Sequence, residues 1–275
     1  MAEIWKTAAR PYWAYFGQRL VDLADIPAGA CVLDIGSGWG TSLFPAAQAA
    51  GPQGLVVGIE IWDEHVRGMA LEIARRGLHN ARVTWMDATA LGFRENSFDL
   101  VLSGFAYVFF SLQDVFPLLI DGGRVALSSW AWQEDSEWMG ELVGRLLPED
   151  AAECEEEPVE GSLGKRPRVY ALDTPQTLEG KLAAAGFSAC CVLREDKEFL
   201  FRDEEEWWTV MGRSGWQRHL ETVEQLGAGV LKRLKEDAFE MLQGHKDADG
   251  IHFTRSVLFA LAAKAEQDHP PHSPN

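Results

Sequence analysis

The sequence predicts an α/β protein in which a mostly parallel sheet carries helices on both faces. Short apolar runs alternate with segments of helical periodicity between residues 31 and 130, which is typical of repeated strand–helix–strand units. Three of these runs end at an acid, and the first is followed at once by three glycines in alternate positions. Such glycine turns occur where a ligand approaches the carboxyl end of a parallel strand.

The glycine turn lies within residues 32–40, Val-Leu-Asp-Ile-Gly-Ser-Gly-Trp-Gly. A side chain at the glycine positions would block the ligand or the tight turn. The acid in this run would repel a pyrophosphate, whereas it would attract a ligand that has an ammonium group and no phosphate. The residues that we expect to line the ligand here are Asp34, Gly36, Ser37, Gly38 and Gly40. The pattern does not explain Trp39, which lies between two of these glycines.

The turn resembles the first motif of the class I S-adenosylmethionine-dependent methyltransferases. The alternative is the dinucleotide fingerprint Gly-x-Gly-x-x-Gly, but its third glycine would fall on Thr41. The resemblance covers residues 5–130 and is strongest to the small-molecule branch that includes the ubiquinone and menaquinone biosynthesis methyltransferases. It implies S-adenosylmethionine as the cofactor. It also implies a seven-stranded, mostly parallel Rossmann-like sheet whose last strand is antiparallel between the fifth and the sixth.

Glu60 ends the second apolar run, twenty residues after Gly40. This is the spacing of a ribose-binding acid in such units, and a carboxylate can accept hydrogen bonds from both ribose hydroxyls. The alternative is an acid that caps the helix that follows. If Glu60 binds the ribose, Ile61 and Trp62 are placed to pack on the adenine.

Residues 83–88 and 98–103 form the next two apolar runs. The resemblance implies that Asp87 meets the adenine amino group and that the N–H of Ala88 meets a ring nitrogen. The alternative is that Asp87 opens the following loop as an Asx turn. Ser103 ends the run that resembles the fourth strand of the family, and we expect it beside the cofactor.

An aromatic stripe of helical spacing predicts that residues 1–28 form an N-terminal helical lid. In the family that the chain resembles, the N-terminal helices close over the cofactor, so Tyr12 is expected to contact it. Pro11 interrupts the stripe and predicts a break into two short helices.

The rest of the chain is expected to form a core domain with one helical insertion. The core comprises residues 29–202 and 250–265, a helical cap at residues 203–249 precedes the last strand, and residues 266–275 form a disordered tail. Other predicted elements are helices at residues 63–76 and 174–186 (the second with Thr174 as N-cap and Pro175 in first position), strands at residues 187–192 and 251–263, and a solvated acidic loop at residues 153–160.

The composition excludes several classes of partner. The chain has 275 residues and a net charge of −17, from 25 basic and 42 acidic residues. A nucleic-acid substrate would want a basic stripe, and the densest basic cluster is only Lys165, Arg166 and Arg168. No apolar run approaches the ~20 residues of a membrane-spanning helix. We therefore expect a small-molecule methyl acceptor, no nucleic acid, no integral membrane association, and a monomer or homodimer.

The cysteines are predicted to be core thiols of a cytoplasmic protein. Cys31, Cys190 and Cys191 lie in apolar runs, and together with Cys154 they show neither metal-ligand spacing nor a disulfide framework. No metal is expected.

The expected reaction needs few catalytic residues, so few can be recognised in the sequence. Methyl transfer from a sulfonium is an in-line displacement in which the protein mainly positions the nucleophile, and a general base is needed only if the acceptor must lose a proton. Tyr107, after the fourth strand, and His219, in the cap, are the candidate catalytic residues; ordinary packing is the alternative for each. The tryptophans of the cap and lid favour an apolar or aromatic acceptor. Methylation on oxygen or carbon is expected rather than on nitrogen, and the acidic balance of the chain leaves an amine acceptor open.

Two other functions stay open at this stage. The chain could keep the cofactor fold without methyl transfer, as a cyclase or as a regulatory partner in a biosynthetic pathway. It could also be a nicotinamide-dependent dehydrogenase, although the position of Thr41 disfavours this.

Overall fold

The computed structural model describes residues 10–146, 174–212 and 216–266. Its strands are β1 (Cys31–Ile35), β2 (Leu55–Glu60), β3 (Ala81–Trp85), β4 (Phe98–Gly104), β5 (Leu119–Trp130), β6 (Ser188–Phe201) and β7 (Ile251–Ala263). They form one sheet in the order β3-β2-β1-β4-β5-β7-β6. Only β7 is antiparallel to its neighbours β5 and β6. The predicted sheet is confirmed, and the carboxyl ends of the other strands meet at one edge.

Helices cover both faces of this sheet. Along the described chain they are α1 (Arg10–Ala24), α2 (Leu43–Ala50), α3 (Asp63–Arg76), α4 (Leu112–Val115), α5 (Glu134–Gly144), α6 (Pro175–Ala184), α7 (Glu204–Met211), α8 (Gln217–Gln225) and α9 (Ala228–Leu242). One face is packed by α1, α2 and α3 through Phe16, Leu43 and Met69. The other is packed by α4 and α6 through Val115 and Leu182.

Local signals set the ends of the helices around the site. Helix α3 has acids in its first turn, arginines in its last turn, and Gly77 as a left-handed C-cap with φ 63°, which satisfies the helix dipole and the final carbonyls. Helix α6 begins with a capping box in which Thr174 and Thr177 each accept from the other's main-chain N–H. Both helices were predicted.

Strand β6 is longer than predicted, and the break at Pro11 stays a prediction. Pro11 lies in the first described turn of α1, where a helix needs no N–H donor; residues before Arg10 lie outside the described range. Strand β6 extends to Phe201 instead of ending at residue 192. Charged residues in the middle of β6 hide the alternation of apolar and polar residues that would identify a strand. One face of the strand points outward, and on the other face Glu195 accepts a hydrogen bond from Arg19 of α1.

The extra length of β6 pairs with the first half of β7. Trp130, the last residue of β5, pairs with Val257, whereas β6 and β7 remain paired out to Phe201 and Ile251. The two strands therefore continue beyond the carboxyl edge of the sheet. Helices α7, α8 and α9 follow at the end of this extension, before β7 begins.

A buried ion pair joins these helices to the sheet. Asp135 of α5 is fully buried and accepts a hydrogen bond from Arg255 of β7. Its second oxygen accepts from Nε1 of Trp207 in α7 at 3.3 Å. Trp207 in turn stacks on Trp138, with ring centroids 5.4 Å apart. One carboxylate thus connects α5, α7 and β7.

The cysteines are less buried than predicted. Cys31 and Cys190 are half-buried and Cys191 is exposed. Cys190 and Cys191 lie on β6, which is an edge strand, and Cys31 is the first residue of β1. Cys154, the acidic segment 153–160 and residues 267–275 of the tail lie outside the described residues. Within the described residues, the model contains no helix with the length and apolarity to cross a membrane.

Candidate functional site

The glycine turn joins β1 to α2 in left-handed backbone conformations. Gly36, Gly38 and Gly40 have φ values of 71°, 53° and 81°, which residues with a side chain adopt at a cost. The N–H groups of Gly36 and Ser37 both donate to the carbonyl of Ile59 at 3.0 Å. The turn is therefore fixed to β2 by main-chain hydrogen bonds.

The three glycines are needed for different reasons. A Cβ on Gly36 would lie 2.3 Å from Cβ of Ala106 in the loop after β4. A Cβ on Gly40 would lie 2.5 Å from the ring of Phe44. A Cβ on Gly38 would meet nothing closer than 4.0 Å, so Gly38 is the glycine that faces open space.

Glu60, at the end of β2, points its carboxylate at this turn. Oε2 accepts from the N–H of Gly38 at 2.9 Å, and Oε1 accepts from Ile61 and Trp62 at 2.9 and 3.0 Å. Burial alone raises the pKa of Glu60, but the His65 imidazole and the N–H groups of Trp62 and Gly38 outweigh it, so the net pKa is lowered. Since a carboxylate has about four acceptor positions, one position is left for a ligand hydroxyl.

Asp34 is the buried acid of the turn. It is fully buried, Oδ2 accepts from Oγ of Ser42 at 2.7 Å, and Oδ1 has no hydrogen-bond partner among the described residues. Burial, opposed by the Ser42 hydrogen bond and reinforced by the charge of Glu60, raises the pKa of Asp34 to about 7. An orphaned buried oxygen of this kind suits a cationic ligand and disfavours a phosphate.

The ends of β2 and β3 form an apolar edge next to Glu60. Ile61 and Trp62 are 49% and 63% exposed, so Trp62 does not join the buried stripe of α3. Nε1 of Trp85 donates to the carbonyl of Ile61 at 2.7 Å. Sequence reasoning missed Trp85, because nothing in an exposed edge strand signals which carbonyl an indole will reach.

Asp87 is placed at the loop after β3. Oδ1 accepts from both the N–H and the hydroxyl of Thr89 at 2.8 Å, which is the Asx turn given as the alternative to a role at the adenine, and these hydrogen bonds lower the pKa of Asp87. Ala88 beside it is half-buried. Both of these hydrogen bonds use Oδ1 of Asp87, and Oδ2 can still accept.

An aromatic cluster occupies the ends of β4 and β5. We define it as Trp13, Phe16, Phe105 and Trp130. Phe105 stacks on Trp130 with centroids 4.2 Å apart and an interplanar angle of 25°, and Trp13 meets both rings edge-on at 5.4 and 5.7 Å. Phe105 has φ 62°, a strained conformation for an aromatic residue.

The candidate catalytic residues lie elsewhere. Tyr107 is 4% exposed in the core beneath the sheet, and its hydroxyl accepts from Nζ of Lys181 on α6 at 3.1 Å. His219 lies on α8 with its ring 5.6 Å from that of Trp216. A one-turn 3₁₀ helix after β4 directs Tyr107 into the core.

Two further predicted residues have different outcomes. Ser103 is buried at the end of β4, where its hydroxyl donates to the carbonyl of Ile35 at 3.1 Å. It therefore ties β4 to β1 instead of presenting a free hydroxyl. Tyr12 belongs to α1, but its side chain lies outside what the structure describes.

Together these features define a class of protein. The sheet has its last strand antiparallel between the fifth and sixth, and its first two strands carry a glycine turn, an ionised acid and an orphaned buried carboxylate. This is the arrangement expected of a class I methyltransferase. Among the residues present, Asp34, Gly38 and Glu60 fit a ligand with an ammonium group and a ribose.

Comparison with known proteins supports this class. Residues 32–123 match a family described as a methyltransferase domain. Nocamycin O-methyltransferase of Saccharothrix syringae is 33% identical over 210 residues, which is 72% of this chain and 73% of that protein. Aklanonic acid methyltransferase DauC of Streptomyces sp. (strain C5) is 39% identical over 123 residues, 43% of this chain and 56% of DauC. The match therefore spans little more than half of DauC.

A solved structure agrees in fold. Phosphoethanolamine N-methyltransferase 2 of Haemonchus contortus, in complex with S-adenosyl-L-methionine, superposes with a TM-score of 0.55 at 18% identity. The match covers 91% of this chain and 52% of that one. The chain belongs to the S-adenosylmethionine-dependent methyltransferases, and S-adenosylmethionine is its cofactor.

Proposed function

We propose that the protein transfers a methyl group to an oxygen or carbon atom of a small apolar or aromatic molecule. The observation that carries this proposal is the aromatic cluster at the ends of β4 and β5. Trp13, Phe105 and Trp130 are each half-buried, so part of each ring can contact a bound molecule. The loop that holds Phe105 also contacts the glycine turn, since Ala106 lies against Gly36.

The cofactor-binding roles form part of the proposal. Glu60 binds a ribose hydroxyl, Asp34 offsets the ammonium charge, and the open space before Gly38 takes the cofactor backbone. Ile61 and Trp62 pack on the adenine, with the free oxygen of Asp87 and the N–H of Ala88 at its edge. The hydrogen bonds that fix Gly36, Ser37 and Gly38 to β2 support these roles because they preorganise the site.

The chain's own residues mainly orient the acceptor. The bound cofactor supplies a methyl group that its sulfonium charge already activates. Aromatic faces near that charge add cation–π stabilisation, exclude water and hold a planar acceptor by stacking. The buried placements of Tyr107 and the cap position of His219 lead us to propose transfer without either residue as base, to an acceptor that ionises readily, such as a phenol, an enol or a carboxylic acid.

The names of the relatives support a small acceptor. One is a nocamycin O-methyltransferase and the other an aklanonic acid methyltransferase. Both names describe small organic molecules, and the first specifies oxygen. We also propose that residues 203–249 act as a cap over the acceptor, which the three helices between β6 and β7 support, and that residues 1–28 act as its lid.

The test is methyl transfer to a chemical panel. Purified protein is incubated with S-adenosylmethionine labelled on the methyl group and with phenols, quinones, enolic polyketides, carboxylic acids and amines. We expect label in a phenol, quinone, polyketide or acid product. Label in amines alone would contradict the proposed acceptor class. Tight cofactor binding with no labelled product would instead favour a protein that binds the cofactor without transfer.

Variants of the aromatic cluster test whether the acceptor binds to this cluster. Phe105→Ala and Trp130→Ala should each lower the rate at least tenfold with the acceptor identified, since one buried ring contact is worth about 1.4 kcal/mol or more. Affinity for S-adenosylhomocysteine should stay within about twofold. Full activity in both variants would place the acceptor elsewhere.

A further inference from the structure

The tryptophan inside the glycine turn packs on helix α3. A Cβ on Gly68 would lie 2.4 Å from Cζ3 of Trp39 and 3.2 Å from its Cη2, so the indole fills the space that any side chain at position 68 would need. The ring of Trp39 also lies against that of His65, with centroids 4.8 Å apart. Trp39 therefore connects the glycine turn to the first turns of α3.

The same histidine lies next to the acid that ends β2. Nδ1 of His65 is 3.8 Å from Oε2 of Glu60, the oxygen that also accepts from the N–H of Gly38. Nδ1 is buried and has no hydrogen-bond partner among the described residues. At 3.8 Å the contact is longer than a hydrogen bond, so the imidazole leaves the remaining acceptor position of Oε2 to another donor.

We propose that His65 is a positioning residue for Glu60 and that Trp39 holds His65 in place. The inference rests on the proposed assignment of the ribose to Glu60. The imidazole limits the rotation of the carboxylate at Oε2 and favours its ionised form, and three main-chain N–H groups also hold the carboxylate. The cofactor then meets a carboxylate that is already oriented, which reduces the entropy lost on binding.

Calorimetric titration with S-adenosylhomocysteine tests the role of His65. His65→Leu should weaken binding about three- to tenfold, the range expected from the loss of one charge-assisted contact. His65→Asn, whose amide nitrogen can replace Nδ1, should restore affinity to within about twofold of wild type. Unchanged affinity in His65→Leu, or no rescue by His65→Asn in a protein of wild-type melting temperature, would overturn the proposal.

A histidine at the far end of the same helix provides the matched control. His79 follows α3 and is exposed, and His79→Leu should leave the affinity unchanged. The ligand provides a second control, because a positioning role acts through the ribose. With the 2′-deoxyribose analogue of S-adenosylhomocysteine, the penalty of His65→Leu should shrink. An equal penalty for both ligands would indicate a general disturbance of α3 and would overturn the proposal.

Coupling between the two rings tests the role of Trp39. If Trp39 acts by holding His65, the double variant Trp39→Ala/His65→Leu should bind about as weakly as the weaker single variant. Additive losses would show that Trp39 acts independently. Such a result would overturn its part in the proposal.

Glu60→Ala separates this inference from the site assignment on which it rests. We expect it to weaken S-adenosylhomocysteine binding more than any His65 variant. Wild-type affinity in Glu60→Ala would show that the ribose binds elsewhere, and both proposals would fail. A large loss in Glu60→Ala beside no loss in His65→Leu would refute only the role of His65.

Discussion

The two halves of the sheet edge are held together in different ways. In the cofactor half, formed by β1, β2 and β3 with α2 and α3, main-chain N–H groups make most of the contacts, as at Glu60 and at the turn that bonds to Ile59. The other half is the one that we propose binds the acceptor, and we call it the acceptor half. It is formed by β4 to β7 with α1, α5 and α7 to α9, and aromatic rings and the Asp135–Arg255 ion pair make its main contacts.

The two halves also differ in how far apart in the sequence their contacting residues lie. The groups that meet in the cofactor half are Gly38 and Glu60, which lie 22 positions apart. In the acceptor half Tyr15 donates to Glu195 across 180 positions, and Asp135 pairs with Arg255 across 120. A site built by main-chain geometry survives many side-chain changes, whereas a site built from distant side chains can change its ligand while the fold is kept.

The largest expected effect is in the cofactor half, from Gly38→Val. The new side chain would enter the open space before the turn and would strain a backbone of φ 53°. We expect binding of S-adenosylhomocysteine to be lost in calorimetry, with an affinity at least about a hundredfold lower.

Gly77→Val provides the matched control for backbone strain. Gly77 has φ 63°, and a Cβ there meets no atom within 4 Å. It lies at the other end of α3, so this variant should bind the ligand as wild type does. Normal affinity in Gly38→Val would refute the site, whereas loss in both variants would show that strain alone is responsible.

The next largest effect is expected in the acceptor half, from Asp135→Leu. The change leaves the guanidinium of Arg255 buried without its carboxylate, and breaking a buried pair in this way costs about 3–5 kcal/mol. Denaturant unfolding should show this loss. The double variant Asp135→Leu/Arg255→Met should recover most of it, because both charges are then removed. If the double variant is as unstable as the single one, packing around Trp207 rather than charge explains the loss.

The smallest effect is a pH dependence of stability from Asp34. Burial raises the pKa of Asp34 to about 7 from an unfolded value of 3.8. A raised pKa means that the folded state favours the neutral carboxyl of Asp34. The stabilising contribution of Asp34 is therefore present below pH 4 and is lost as the pH rises through 7. Asp34→Asn cannot ionise. Without ligand, the difference in unfolding free energy between Asp34→Asn and wild type should therefore shift in favour of the variant by about 2 kcal/mol as the pH rises from 5 to 8. Parallel pH curves would contradict this.

Most of the cofactor half was predictable from the sequence. The ends of α3 and the identity of the turn residues follow from local signals, such as Gly77 after two arginines and the three alternate glycines. These signals are local because the turn and helix geometry need particular residue types at fixed offsets. His65 and Trp39 were the exceptions, since the space at Gly68 appears only when α3 is packed on the turn.

The acceptor half was predictable only in outline. The bounds of β7 follow from apolar patterning, and the strand order was implied by the family resemblance. The length of β6 follows from neither, since residues 194–198 are charged on both faces. The conformation of Phe105 at φ 62° depends on its stack with Trp130. The direction of Tyr107 depends on a single 3₁₀ turn. None of these has a local sequence signal.

A crystal structure with S-adenosylhomocysteine bound would test most directly whether the ligand lies in the cofactor half with its sulfur towards the acceptor half. We expect a ribose hydroxyl within about 3 Å of Oε2 of Glu60, with the ligand backbone against Gly38 and the sulfur directed towards Phe105 and Trp130. A ribose bound away from Glu60, or a sulfur directed away from the aromatic cluster, would contradict it.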